Sequence, residues 1–168
     1  MKKFFFFSTY LSVFIIPCIL FSQINPKNID IVRDLYGVPH IYAKSDAEVA
    51  YGLAWAHAED DFKTIQQSFL AGNALLSKYL GKKGIPADFI SQLIQSKEFV
   101  SKNFEKDLSD DFKKIIEGYA NGLNSYAFNN PSEVLLDDLF PITPKQMTNY
   151  AHLQLFISSR GDYWIRKI

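Results

Sequence analysis

The sequence lacks cysteine after its first 22 residues, and this absence excludes a disulfide framework for the rest of the chain. The single cysteine is Cys18. A chain of 168 residues is long enough to form a hydrophobic core without disulfides. Cys18 would suit a lipoprotein, but Pro17 stands where a small residue is required before a lipidated cysteine. We therefore set the lipoprotein interpretation aside.

The sequence also lacks an excess of either charge. Lys and Arg number 18, and so do Asp and Glu, so the formal net charge is zero. Without Lys2 and Lys3 at the N-terminus, 16 basic side chains remain beside the 18 acidic ones. No basic stripe is available to neutralise phosphates, so nucleic-acid binding is not expected.

One long apolar run is present, and it stands at the N-terminus. The run from Phe4 to Phe21 follows a short basic start and precedes a suitable cleavage region. This order is typical of a secretory signal peptide. We predict a signal peptide at 1–22 and a mature domain at 23–168, exported to the periplasm or the medium. Pro17 argues against a stable membrane span, although a retained N-terminal anchor is an alternative because the run nearly reaches spanning length.

A short pair of strands is predicted directly after this leader. Apolar and polar residues alternate from Ile29 to Val32, and His40 to Ala43 has the pattern of a returning strand. Tyr36 to Pro39, between them, has turn chemistry. Two short strands cannot bury themselves alone, so we expect other sequence to complete the sheet.

Most of the remaining sequence is predicted to be helical. Ser45 and Glu48 form a capping box for a long helix that bends near Gly72 and ends at Gly81. A second helix is expected from Ala87 to about Asn103, because apolar residues recur there with helical spacing. The predicted fold class is therefore α+β, with a short N-terminal strand pair followed by a mostly helical region.

Two further helices are predicted in the second half of the chain. Ser109 caps a third helix, and Thr143-Pro144 begins a fourth. Gly118 and Gly122 lie inside the third helix, where each costs about 1 kcal/mol relative to alanine. We expect another backbone to approach the helix closely at these two glycines.

Several segments, in order, resemble the N-terminal region of the penicillin-acylase family, which includes acyl-homoserine-lactone acylases. The chain differs from the family pattern at Asp61, where Arg is usual, and at Ile142, where Trp is common. These differences concern the substrate more than the fold. The matching segments are Val32-Arg33-Asp34 with Gly37 to Ala43, Tyr51-Gly52 with Ala56, Ala58 and Asp60, Gly72 with Leu80-Gly81, Gly118 to Asn124, and Ile142-Thr143-Pro144.

The resemblance implies an N-terminal-nucleophile hydrolase that is exported as a precursor and cut into two chains. The strand pair would then belong to an incomplete αββα sheet. The catalytic nucleophile would begin the second chain, with its own α-amino group as base, since a free α-amine has a pKa of about 7.7–8.0. We recognise no processing junction in this chain and assign it no catalytic residue. The implied partners are the missing second, β-chain-like portion and a small acylated amide substrate.

The resemblance also implies a position for substrate contacts. Phe156, Ser159 and Arg160 match the region from which the family's first chain contributes to the acyl pocket. A calcium site is suggested only by this resemblance, because in the family one acidic calcium ligand comes from the same region of the first chain. Asp162 is the only nearby carboxylate and its spacing fits poorly, so we assign no metal ligand.

Other candidate residues have simpler structural explanations. His57 and Asp61 lie four apart and would share a helical face, but two ligands on one helix without a distant partner favour ordinary polar packing over a metal site. His40 is interpreted as structural. Arg33 and Asp34 are adjacent in a strand and face opposite sides, so we predict two separate ion pairs.

These observations favour the N-terminal portion of an exported amide hydrolase that acts on a β-lactam side chain or an N-acyl-homoserine lactone. Large apolar residues continue to Ile168, so we expect a chain that is cut short and inactive alone. Two alternatives stay open. The chain is a stand-alone exported helical binding module, or it is a non-functional relic of an acylase gene.

Overall fold

The computed structural model describes residues 24–161 and residue 163, and it forms from them a two-stranded sheet and six α-helices. The predicted signal peptide lies outside the described residues. A strand pair followed by helices confirms the predicted α+β class. The elements are β1 (Asp30–Arg33), β2 (Pro39–Tyr42), α1 (Asp46–Gly72), α2 (Leu76–Leu80), α3 (Ile85–Leu93), α4 (Ser96–Asp107), α5 (Asp110–Asn129) and α6 (Pro144–Ser158).

The strands form an antiparallel hairpin that packs one face on α1. Ile31 lies opposite Ile41, and both side chains point towards Gly52 of α1. A Cβ atom at Gly52 would stand 2.7 Å from Cγ2 of Ile41 and 2.9 Å from Cγ2 of Ile29. The absence of a side chain at position 52 therefore lets the hairpin lie directly on the helix.

Helix α1 ends earlier than the sequence predicts. Its N-terminus is capped as expected, since Ser45 Oγ accepts a 3.3 Å hydrogen bond from the N–H of Glu48. The predicted continuation to Gly81 is wrong, because α1 stops at Gly72 and the short α2 follows. A Cβ atom at Gly72 would overlap the backbone of Tyr150 in α6. Helix α6 therefore crosses α1 at its last residue, and Ala74, just beyond the Asn73 cap, has a left-handed φ of 55°.

Helix α5 packs along α1, and this pair makes the most extensive helix contact in the described chain. A Cβ atom at Gly118 would overlap the carbonyl oxygen of Ala47, and one at Gly122 would overlap that of Tyr51. The predicted close approach of another backbone to both glycines is confirmed. Leu123, the residue after Gly122, is fully buried in the core.

The prediction of a single helix from Ala87 to about Asn103 is wrong, because the structure has two helices, α3 and α4, in this region. The break falls at Ile94 and Gln95, and Gln95 has a left-handed φ of 51°. The turn places Ser96 inside the protein, where it is 1% exposed. Apolar residues recur with helical spacing on both sides of the break, so the sequence pattern does not indicate where one helix ends and the next begins.

The segment between α5 and α6 is held against the core by the buried side-chain amide of Gln66. Gln66 of α1 is fully buried, and it donates to the carbonyl of Glu133 (3.0 Å) and accepts from the N–H of Leu135 (2.8 Å). Leu139 and Ile142 are also buried in the core. Among the helices of the described residues, none is long and apolar enough to cross a membrane.

Candidate functional site

Helix α6 carries the predicted substrate-binding residues to its C-terminal end. The helix begins with a capping box, in which the Thr143 hydroxyl accepts from the N–H of Gln146 (3.3 Å) and the Gln146 side chain accepts from the N–H of Thr143 (2.9 Å). Phe156 lies in the last turn of α6, and Ser159 and Arg160 follow its end. The structure therefore brings all three predicted residues into one turn.

The three side chains differ in exposure and in partners. Ser159 is exposed, and its hydroxyl donates a 2.9 Å hydrogen bond to the carbonyl of Phe156. Arg160 is exposed with a left-handed φ of 61°, and its guanidinium carbon lies 5.4 Å from the centroid of the Tyr163 ring. The half-buried Phe156 ring lies so close to Gly161 that a Cβ atom there would overlap it.

This turn offers chemistry for binding rather than for nucleophilic attack. An aromatic ring supplies apolar surface for an acyl group, and a guanidinium supplies donors for a carbonyl or carboxylate. The Ser159 hydroxyl donates to a backbone carbonyl, and the described residues place no histidine or carboxylate in hydrogen-bond contact with it. A serine without an adjacent base is not an activated nucleophile.

A second polar cluster joins the hairpin to α1. The Arg33 guanidinium lies 3.2 Å from the Glu59 carboxylate and 2.9 Å from the Asp60 carboxylate. It also donates to the carbonyls of Gly37 (2.8 Å) and Ala56 (3.3 Å). Hydrogen bonds to the Glu59 and then the Asp60 carboxylate raise the pKa of Arg33 above its ordinary value. This arginine holds the hairpin against α1.

Asp34 makes a separate ion pair at the hairpin turn. Its carboxylate lies 3.2 Å from Nε2 of His40 and accepts hydrogen bonds from the N–H groups of Tyr36 (2.8 Å) and Val38 (3.0 Å). The hydrogen bond to His40, followed by these two backbone bonds, lowers the pKa of Asp34 below its ordinary value. The predicted separation of the Arg33 and Asp34 ion pairs is confirmed. His40 contacts the turn that it stabilises, which fits its structural interpretation.

The residues considered for a metal site have unrelated partners. Nδ1 of His57 lies 2.9 Å from the Tyr119 hydroxyl, whose pKa is raised by burial. The Asp61 carboxylate accepts from the N–H of Thr64 at 3.0 Å, just after the helix is interrupted at Asp61. In residues 24–161 and 163, no three His, Cys, Asp or Glu side chains are grouped to hold a metal ion. Asp162 lies outside the described residues.

One buried polar contact was not expected from the sequence. Oγ of Ser96 lies 3.0 Å from Nδ1 of His152, and the His152 ring stacks on Phe99 with centroids 4.5 Å apart. Burial lowers the pKa of His152. Ser96 is 1% exposed, so a substrate cannot reach it. The contact joins α4 to α6. In the sequence, the only feature that could have indicated it is a serine directly after Gln95, where the break between α3 and α4 was not predicted.

An open cleft of about 460 Å³ lies where the end of α1 meets α3 and the start of α4. Ala74 and Gln95, two residues with left-handed φ, both line it. None of the predicted substrate-binding residues does. The complete lining consists of Gly72, Asn73, Ala74, Ser91, Gln92, Gln95, Lys97 and Glu98.

The outer side of the hairpin is uncovered. Leu35 and Tyr36 are almost fully exposed at its tip, and Val32 and Tyr42 are more than half exposed on its outer face. In the described part of the chain, β1 and β2 pair only with each other. The hairpin therefore has one face packed on α1 and one face that exposes apolar side chains.

Comparisons with known proteins show similarity to penicillin acylases and acyl-homoserine lactone acylases. A family model described as penicillin amidase matches residues 28–160. Penicillin G acylase of Escherichia coli is 27% identical over 154 residues, which make up 84% of this chain and 17% of that protein. Acyl-homoserine lactone acylase PvdQ of Pseudomonas fluorescens (strain Pf0-1) is 25% identical over 114 residues, 63% of this chain and 14% of that protein. The chain thus spans less than a fifth of the length of these relatives.

A solved structure shares the fold. The thermostable penicillin G acylase from Alcaligenes faecalis superposes with a TM-score of 0.62 at 22% sequence identity, over 76% of this chain and 72% of that chain. Because the two covered shares are nearly equal, the two superposed chains are similar in length.

Proposed function

The chain belongs to the penicillin amidase family, and we propose that it is the N-terminal, α-chain-like portion of an exported enzyme that hydrolyses linear amide bonds. The family match across residues 28–160 supports the amide-hydrolase relationship. Export rests on the composition of residues 1–22, with a basic start followed by an apolar run.

The observation that carries the proposal is the uncovered hairpin. Its inner face is fixed to α1 through Ile31 and Ile41, whereas its outer face exposes Val32 and Tyr42. A second polypeptide segment that extends the sheet would pair the free strand edges. Packing of the same segment on the outer face would bury these side chains. The small share of each relative's length that this chain covers supports such a segment.

The catalytic nucleophile belongs, in this proposal, to the second segment. An N-terminal Ser there would attack the amide carbonyl while its own α-amine, with a pKa of about 7.7–8.0, accepts the hydroxyl proton. Backbone or amide N–H groups would stabilise the negative charge on the carbonyl oxygen in the tetrahedral intermediate. The present chain would contribute packing and part of the acyl pocket.

The turn at the end of α6 is the proposed contribution to substrate binding. Phe156 would contact the acyl group, and Ser159 and Arg160 would lie beside the polar part of the substrate. The names of the relatives suggest two substrate classes, penicillins and N-acyl-homoserine lactones, and both contain a linear amide with an apolar acyl group. Replacing Arg160 by alanine should raise KM more than it lowers kcat, whereas Gln154→Ala on the exposed side of α6 should change neither.

The test compares the protein purified from its own cells with the isolated chain. Amine release from an arylacetyl amide and from an N-acyl-homoserine lactone is measured for both preparations. We expect hydrolysis of at least one substrate by the cellular protein and none by the isolated chain. Absence of hydrolysis in both preparations, with a stable monomer as the only product of the gene, would favour the binding module or the relic instead.

Solution properties of the isolated chain separate the same alternatives. An incomplete portion should bind a hydrophobic dye strongly through its uncovered hairpin and unfold without a sharp transition. A finished binding module should be monomeric, silent towards the dye and cooperative in unfolding. The second result would contradict the proposed missing segment.

A further inference from the structure

Helix α3 presents an apolar stripe to the outside of the protein. Ile85, Phe89 and Leu93 are 54%, 58% and 51% exposed. They lie four residues apart, so their side chains line up along one side of the helix over about 12 Å. A surface helix normally turns such a stripe towards the core.

The side of α3 that faces the protein is polar instead. Asp88 is 6% exposed, and its carboxylate accepts hydrogen bonds from the N–H groups of Leu76 and Ser77, each at 2.8 Å. Ser91 is 3% exposed and donates to the carbonyl of Ala71 at 2.7 Å. These polar contacts hold α3 in place, so its outward apolar stripe is fixed by the fold and is not the result of loose packing.

The exposed charged side chains between residues 76 and 97 are all basic, and Glu98 follows them. The segment from 76 to 97 contains four lysines, and its only carboxylate is the buried Asp88. Lys78 pairs with Asp138 at 2.7 Å. Lys82 and Lys83 directly precede α3, and among the described residues neither has an ion-pair partner. Two exposed lysines without an ion-pair partner in the described part of the chain therefore stand in the turn that leads into the stripe.

We propose that α3 is a membrane-interface helix that lies in the plane of an anionic lipid surface. Its stripe enters the boundary between headgroups and acyl chains, and Lys82 and Lys83 contact lipid phosphates. An apolar face next to lysines, on a helix too short to span, is the composition of such helices. Protein interfaces are depleted in lysine, so a protein partner fits this surface less well. The proposal is independent of the proposed amide hydrolysis.

The test is co-sedimentation of the full gene product, purified from its own host, with vesicles of phosphatidylglycerol or of phosphatidylcholine. We expect binding to phosphatidylglycerol that weakens with salt. Phe89→Ser should reduce the partition coefficient by about tenfold or more, because half of a phenylalanine leaves the apolar layer. Lys82→Gln and Lys83→Gln should each reduce it about fivefold. Phe128→Ser is the matched control, since Phe128 is an exposed aromatic residue on α5.

Three outcomes would overturn the proposal. The first is equal binding to both lipids, because the lysines would then be irrelevant. The second is an equal loss in Phe89→Ser and Phe128→Ser, because the effect would then not belong to α3. The third is the absence of binding to phosphatidylglycerol vesicles at low salt, because the stripe would then have no lipid partner. Leu93→Ser repeats the test at a second position if Phe89→Ser does not fold, as judged by circular dichroism.

Discussion

Replacing Gly122 by alanine would put a methyl group into the contact between α1 and α5. The new Cβ atom would overlap the carbonyl oxygen of Tyr51 and lie 2.7 Å from the Cβ atom of Ala54. The first obstacle is backbone, which cannot rotate away as a long side chain would. The two helices would therefore have to separate along part of their shared length.

The expected loss follows from two opposing contributions. Forcing a methyl group into a closely packed core costs about 1–3 kcal/mol. Replacing glycine by alanine inside a helix stabilises the helix by about 1 kcal/mol, because alanine has the higher helix propensity. Because the obstacle is backbone, we place the steric cost in the upper half of its range, which gives a net destabilisation of about 1–2 kcal/mol.

The assay is urea unfolding of the protein as purified from its host, followed by tryptophan fluorescence. Asn121→Ala is the matched control, because Asn121 is the adjacent residue of α5 and lies on its exposed side. This control should be as stable as the unchanged protein or slightly more stable. If Gly122→Ala were also as stable as the unchanged protein, the close approach of α1 and α5 would be refuted.

Three further predictions concern the hairpin and the buried amide of α1. Arg33→Ala should speed hydrogen exchange in β1 and β2, because the Arg33 guanidinium bonds to Glu59 and Asp60 of α1. Lys44→Ala should not, because Lys44 bonds to α1 through its backbone N–H, which the substitution keeps. The pKa of Asp34 is lowered in the folded protein, so its carboxylate stabilises the hairpin at pH values above 3.8, the ordinary pKa. This stability is lost as the pH falls through the pKa of the folded protein, and hydrogen-exchange protection of the hairpin should therefore fall in acid. Asp34→Asn should remove this pH dependence. Gln66→Met should cost about 1–3 kcal/mol in urea unfolding, because it leaves the part-buried N–H of Leu135 without this partner.

Local signals in the sequence predicted most of the elements correctly. The caps at Ser45, Ser109 and Thr143 are formed by hydrogen bonds between residues three positions apart, so their partners are visible in the sequence itself. Gly118 and Gly122 predicted a close backbone approach because glycine is costly in a helix without such a reason.

The features that were missed depend on distant parts of the chain. The glycine at position 72 indicated a bend in α1, but neither the full stop there nor the crossing of α6 is visible in the nearby sequence. The break at Gln95 uses a left-handed conformation that glutamine rarely adopts. The Ser96–His152 contact joins residues 56 positions apart and follows from that break.

The candidate site was predictable only as far as one helix end. Helical geometry places Phe156 beside the turn that contains Ser159 and Arg160, so their proximity follows from sequence spacing. Residues on another polypeptide segment cannot be inferred from this spacing. Their contribution to substrate binding therefore stays a prediction.

The most direct test of the proposed two-part hydrolase is the DNA sequence that follows codon 168 in the source genome. We expect a reading frame that encodes a long, strand-rich polypeptide with a serine at a processing junction. Its first strands should have the alternating pattern needed to pair with the free edges of β1 and β2. Unrelated sequence at that place, with no such frame nearby, would contradict the proposed enzyme and favour a binding module or a relic.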